Sequence, residues 1–176
     1  DGQVPFLMTV FTPLSIASRL APSEDVFMEH VLAHWDEVRQ ALDVVTETFV
    51  RFSNACMDRG ASGLFYATTS WATTDRMTPE QYARYARPHD LRLLESLPET
   101  EFTMLHVCKD NNLLPSLLDY PVHAFNWDAR SRTNPSLAEG RAMAGSRAVV
   151  GGLDTGGEPG GSDPGAVAAE VRDMRL

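Results

Sequence analysis

Short, nearly continuous apolar runs recur along the chain, at residues 4–11, 63–68, 102–108, 122–127 and 148–153. Most are apolar at successive rather than alternate positions, the pattern of strands covered on both faces. Between them the apolar positions fall three and four residues apart, the spacing of one helix face. Ser23 can cap a helix running through Val26, Phe27 and Val31, with Glu24 and Asp25 favourable in its first turn. From about residue 36 to 59, Val38, Leu42, Val45, Phe49, Phe52 and Cys56 mark a longer helix that Gly60 is placed to end. Thr78-Pro79-Glu80-Gln81 is a helix start with a capping threonine, an early proline and a glutamine three residues on. That helix is expected to reach Leu97, kinked or interrupted at Pro88. Shorter helices are expected at 113–118 and 136–143.

Strand and helix therefore alternate, which argues for a parallel sheet with helical crossovers. Residues 154–165 are rich in Gly, Pro and Asp and read as a flexible loop, and 166–176 as one last short helix. The expected organisation is one α/β domain over 1–154, a loop at 155–165 and a terminal helix of the same domain at 166–176. A complete barrel takes about 250 residues and eight strands. Five strands fit either an open, doubly wound sheet or an incomplete (β/α)8 barrel, and spacing does not choose between them.

Composition narrows the classes. Among 176 residues, 43% are hydrophobic and 22% charged, as in an ordinary globular domain. No apolar run approaches the roughly 20 residues of a membrane span. The net charge of −9 argues against a broad nucleic-acid surface, which needs clustered positive charge. Lys109 is the one lysine among 15 basic residues. The arginines suit paired recognition of carboxylates, although a GC-rich genome gives the same bias. Cys56 and Cys108 make no disulfide framework, which points to a reducing cytoplasm.

In parallel α/β folds ligands bind at the carboxyl ends of the strands. The residues expected there include Thr12, Thr68, Thr69 and Ser70, then His106, Cys108, Lys109 and Asp110, then Asn126, Asp128 and Arg130, and last Asp154. Polar side chains at every strand end favour a small-molecule site. His106-x-Cys108 is the sharpest pair, because residues two apart on a strand share a face and could hold one zinc ion. Two ligands are too few for such a site, so by themselves they read more simply as interior side chains. Arg76, Arg130 and Arg132 could line an anion site or merely be solvated. Asp128 and Asp154 could orient a cation or a pyrrole N–H, or cap their loops. His30 and His34 share a helix face and read as surface residues.

Several stretches, taken in order, resemble a known family. VPFLMTVFTPLSIASRLA, GLFYATTSWA, MTPEQYARYARPHDLRLLE, FTMLHVC, LLDYPVHAFNWDARS, SLAEG and VVGGLD together resemble the uroporphyrinogen decarboxylase superfamily from residue 4 to about 154. The resemblance implies a (β/α)8 barrel with its substrate, a tetrapyrrole or a relative of one, in the cleft at the strand ends. It implies cofactor-free decarboxylation, with arginines binding substrate carboxylates and an aspartate holding the pyrrole N–H groups around a developing cation. The substrate-binding positions it points to are Arg19, Ser70, His106, Asn126, Asp128, Arg130 and Asp154. Two departures stand out. The family's arginine-rich segment and catalytic aspartate would precede residue 1, and its tyrosine falls at Arg19. This chain alone is therefore expected to be inactive as a decarboxylase. A sister branch transfers methyl groups from corrinoids, using zinc held by His-x-Cys and a distant cysteine, and His106-x-Cys108 matches the first half of that motif. An incomplete barrel leaves open strand edges, which invite pairing with another chain, a homodimer being one such arrangement.

Overall fold

The computed structural model describes residues 4–152 and 163–173. Five strands form one sheet: β1 Leu7–Phe11, β2 Gly63–Ala67, β3 Met104–Val107, β4 Ala124–Trp127 and β5 Ala148–Val150. All neighbours are parallel and the order across the sheet is the order along the chain. A doubly wound sheet reverses its order at a switch point. This one does not, and its sequential winding is that of a (β/α)8 barrel carried through five strands.

The crossovers are helical. Between β1 and β2 lie α1 Pro13–Ser18, α2 Glu24–Ala33 and α3 Trp35–Asp58. Between β2 and β3 lie α4 Pro79–Tyr85 and α5 Arg87–Glu95. A 3-10 turn at Leu114–Ser116 precedes β4, α6 Leu137–Met143 precedes β5, and α7 is Pro164–Asp173. Every strand is shorter than its apolar run, because the ends of those runs turn into the connecting loops. The helix start at Thr78 is a full capping box, with Oγ1 accepting from Gln81 N at 3.2 Å and Thr78 N donating to Gln81 Oε1 at 2.9 Å. The helix it opens breaks at Ala86, and Pro88 enters the first turn of α5, where a proline needs no donor partner. The sequence reading had no counterpart to α1. Its cap is Thr12, and Pro13 begins it. Helix α7 begins at Pro164, two residues inside the stretch read as a loop; residues 154–162 of that stretch, Asp154 among them, lie outside the described residues.

The two faces of the sheet differ. Val10, Leu64, Tyr66, Leu105, Val107, Phe125 and Trp127 are buried beneath the helices. Strand alternation places Thr9, Phe65, Met104, His106, Asn126 and Val150 on the opposite face, where all are at least partly exposed. That second face is the one a barrel turns inward. On the helical side, Asp90 is fully buried and accepts hydrogen bonds from Tyr66, Tyr82 and Tyr120 at 3.0, 2.9 and 2.8 Å. Gly140 of α6 meets the Trp127 indole so closely that a Cβ would stand 2.2 Å from a ring carbon. No helix among the described residues is long and apolar enough to cross a membrane.

Candidate functional site

Register brings the inward face into line. Ala67 pairs with His106, His106 with Asn126, and Asn126 with Val150, so these four form one row across the sheet. The neighbouring row holds Phe65 and Met104, and the Phe65 ring stacks on His106 with centroids 5.1 Å apart and planes at 25°. Packed on that ring, the imidazole is half-buried and restricted in rotation.

Asn126 settles which nitrogen of His106 carries the proton. Its Nδ2 donates to Val150 O at 2.8 Å, so Oδ1 is the atom that faces His106 Nδ1, at 2.5 Å. An amide oxygen can only accept, so Nδ1 bears the hydrogen and Nε2 keeps its lone pair. Cys108, two residues on and on the same face, brings Sγ to 2.8 Å from that Nε2. The thiol donates to the imidazole, and burial pushes its pKa up while nearby Lys109 pulls it down. The sheet thus delivers a free imidazole nitrogen and a thiol to one point. Such a pair can share a proton or grip a soft metal ion. Among the described residues no three metal-binding side chains gather. Cys56, the other cysteine, sits on α3.

Backbone strain collects beside this pair. The non-glycine residues with positive φ among the described residues are Thr69, Lys109 and Asn111, at 50°, 72° and 51°. All three follow the carboxyl ends of β2 and β3. Strain held at a rim marks a place where the neighbours over-determine the backbone. A polar cavity of about 280 Å³ opens at the same rim, lined by Glu24, Ser70, Thr73, Asp75, Arg76, Lys109 and Asp110. Ser70 Oγ donates to Glu24 there, and Arg76 pairs with Glu24 at 3.0 Å and with Asp25 at 2.5 Å. A larger apolar cavity, about 440 Å³, lies between α1, α2 and α3, flanked by the exposed His30 and His34, and shares no residue with the rim.

The expected site residues divide accordingly. His106, Cys108 and Asn126 meet, and Ser70 reaches the rim cavity beside Lys109. Arg19 lies over the Phe11 ring, 4.7 Å from its centroid. Asp128 accepts from the backbone N–H groups of Arg130 and Ser131 at 2.9 and 3.2 Å, so it caps its own loop. Arg130 donates to Gly152 O at 2.7 Å. Arg76 belongs with two carboxylates, and Arg132 is exposed. Asp154 lies outside the described residues. The sequence reading overlooked Glu24 as the partner of Ser70 and Arg76, and Asn134, which binds the loop after β3. No local pattern announces either role, because each depends on loops folding back from distant positions.

Comparison with known proteins identifies the family of the chain. A protein-family model described as uroporphyrinogen decarboxylase (URO-D) matches residues 1–175. Two curated relatives, both methylcobamide:CoM methyltransferase MtaA, come from Methanosarcina barkeri and from its strain Fusaro / DSM 804. They are 27% and 28% identical over 154 residues, covering 86% of this chain and 43% of each relative. A solved methyltransferase from Methanosarcina mazei has a TM-score of 0.68 at 24% identity, covering 84% of this chain and 43% of that one. The chain thus spans less than half the length of the relatives it matches, and these relatives are transferases rather than carboxy-lyases. By the family model that covers nearly all of it, the chain belongs to the uroporphyrinogen decarboxylase (URO-D) family.

Proposed function

We propose that this chain carries part of a zinc-dependent methyltransferase site, in which a methyl group passes from a methylcobamide-type donor to a thiol. The observation that carries the reading is the His106–Cys108 pair, with Nε2 and Sγ 2.8 Å apart and the imidazole held by Asn126. Its support from outside is the name of the MtaA relatives, methylcobamide:CoM methyltransferase.

The residues fit the metal in part. Zinc–nitrogen and zinc–sulfur bonds of about 2.0 and 2.3 Å place two tetrahedral donors roughly 3.5 Å apart. The pair is slightly closer, as a shared thiol proton requires, and a small outward turn of Cys108 would open it. The partner on the far imidazole nitrogen is what ligating histidines need. A third protein donor would have to come from beyond the described residues. When bound, zinc supplies Lewis acidity that makes a thiol ionise near neutral pH. His106 and Cys108 would hold the ion, Asn126 would fix the histidine, and the rim cavity would admit the thiol. In the transfer the acceptor thiol would release its proton to solvent, its sulfur would form the new bond to carbon, and the cobalt–carbon bond of the methylcobamide substrate would break with its electron pair left on cobalt.

Decarboxylation of a tetrapyrrole has weaker support here. Arg19 lies over the Phe11 ring, Asp128 accepts from its own loop backbone and Arg130 donates to Gly152 O, so each of the three has a partner within the chain. The test is metal binding. The chain is expected to take up zinc, and His106→Ala or Cys108→Ser to weaken it at least tenfold by competition with a chromogenic chelator. Equal affinity in both variants would overturn the reading. With metal bound, transfer from a methylcobamide to CoM is assayed on the full chain together with any polypeptide that completes the barrel.

A further inference from the structure

We infer that Asn134 is the positioning residue of the His106–Cys108 pair, acting through the backbone that follows Cys108. This rests on the metal-binding reading of that pair. Asn134 is 8% exposed, and the side-chain hydrogen bonds it makes among the described residues all go to main chain. Its amide is filled entirely by main chain. Nδ2 donates to Lys109 O and to Asp128 O, each at 3.0 Å, and Oδ1 accepts from Asn112 N at 3.0 Å. One side chain therefore ties the loop after β3 to the loop after β4.

The loop after β3 needs such a tie. Lys109 and Asn111 both hold positive φ, a region that L side chains occupy at a cost, smaller for asparagine than for lysine. Left alone, the backbone would relax toward negative φ, and Cys108, directly bonded to Lys109, would swing with it. Asn134 fixes the Lys109 carbonyl, and Thr133 of the same turn accepts from Asn111 N at 2.9 Å. From the other side Thr73 Oγ1 donates to Asp110 O at 2.7 Å, and Thr74 N to Asn111 O at 2.9 Å. The loop is clamped between the segments that follow β2 and β4, with Asn134 as the buried member. Only an amide can fill this place: a carboxylate has no donor for two carbonyls, and a leucine of the same shape has neither donor nor acceptor. Removing a group that orients a metal ligand costs about 10- to 100-fold in affinity.

The experiment uses cobalt(II) as a coloured stand-in for zinc, on the full chain. The measurements are the dissociation constant and the thiolate-to-cobalt charge-transfer band, which reports the Cys108 sulfur directly. Asn134→Leu is expected to weaken cobalt at least tenfold and to lower or shift that band, with far-ultraviolet circular dichroism unchanged. Thr78→Ala, a distant helix-cap change, provides a destabilised control and should leave both unchanged. If Asn134→Leu melts below the assay temperature, Asn134→Ser makes the same comparison. Affinity within twofold of the parent and an unaltered band in the Asn134 variant, while Cys108→Ser loses both, would overturn the positioning role alone. If Cys108→Ser also binds as the parent does, the metal reading falls and this inference with it.

Discussion

A methyl group at position 140 would meet the six-membered ring of Trp127 at 2.2 Å, well inside van der Waals contact. Trp127 cannot retreat, because its Nε1 donates to Pro135 O at 2.7 Å and its side chain is buried. Gly140→Ala is therefore expected to destabilise the chain by about 1–3 kcal/mol through overpacking. Urea titration followed by tryptophan fluorescence measures it, and a change under about 0.5 kcal/mol would show that α6 shifts freely. The strand that Gly140→Ala would press on is β4, which also carries Asn126. At this scale the sequence was informative where chemistry follows a strict period. His106 and Cys108 were legible as neighbours on one face because strand side chains alternate. Asn126 was legible only as a polar strand end; its role toward His106 comes from register, which no local pattern encodes. Asp90 was not legible at all, since an aspartate on a helix ordinarily faces water and its three tyrosines come from three separate segments.

Among elements, the caps explain most of what could be read. Thr78 and Gln81 satisfy two orphan backbone groups at the start of α4, and Ser136 with Glu139 does the same for α6. Both helices fall within a residue of where the sequence put their beginnings. Helix α1 escaped notice because six residues give too little periodicity, although its Thr12-Pro13 start has the right chemistry. Helix α4 carries Tyr82 onto Asp90, so its cap has a consequence beyond its own first turn. Thr78→Ala is expected to cost about 1 kcal/mol. A shift of the thermal or urea transition measures it, and no shift at all would mean that the capping box is replaced by water without loss.

Over the whole molecule, a sheet wound in sequence buries one face beneath helices and turns the other toward the site. Alternating runs made the α/β class legible. The direction of winding was not, because strand order is a tertiary fact that spacing leaves open. The helical side is pinned at one buried carboxyl, where Asp90 joins β2, α4 and the segment before β4 through Tyr66, Tyr82 and Tyr120. Burial pushes the Asp90 pKa up to about 6, against the opposing pull of the three hydroxyl donors. An unfolded aspartate titrates near 3.9. Between these two values the folded chain holds a proton that the unfolded chain has released. Raising the pH through that window therefore removes stability, by roughly 3 kcal/mol for a shift of about two pH units. His89 works in the opposite sense, since burial lowers its pKa and the unfolded chain binds the proton more readily. Comparing the parent with Asp90→Asn isolates the first effect, because His89 is common to both and the asparagine does not titrate. The gap in unfolding free energy between the two proteins is expected to move by about 2 kcal/mol in favour of the variant from pH 4 to pH 7, most of the full linkage. Urea titrations at intervals of half a pH unit measure this gap, and parallel curves would show that Asp90 stays ionised in the folded chain.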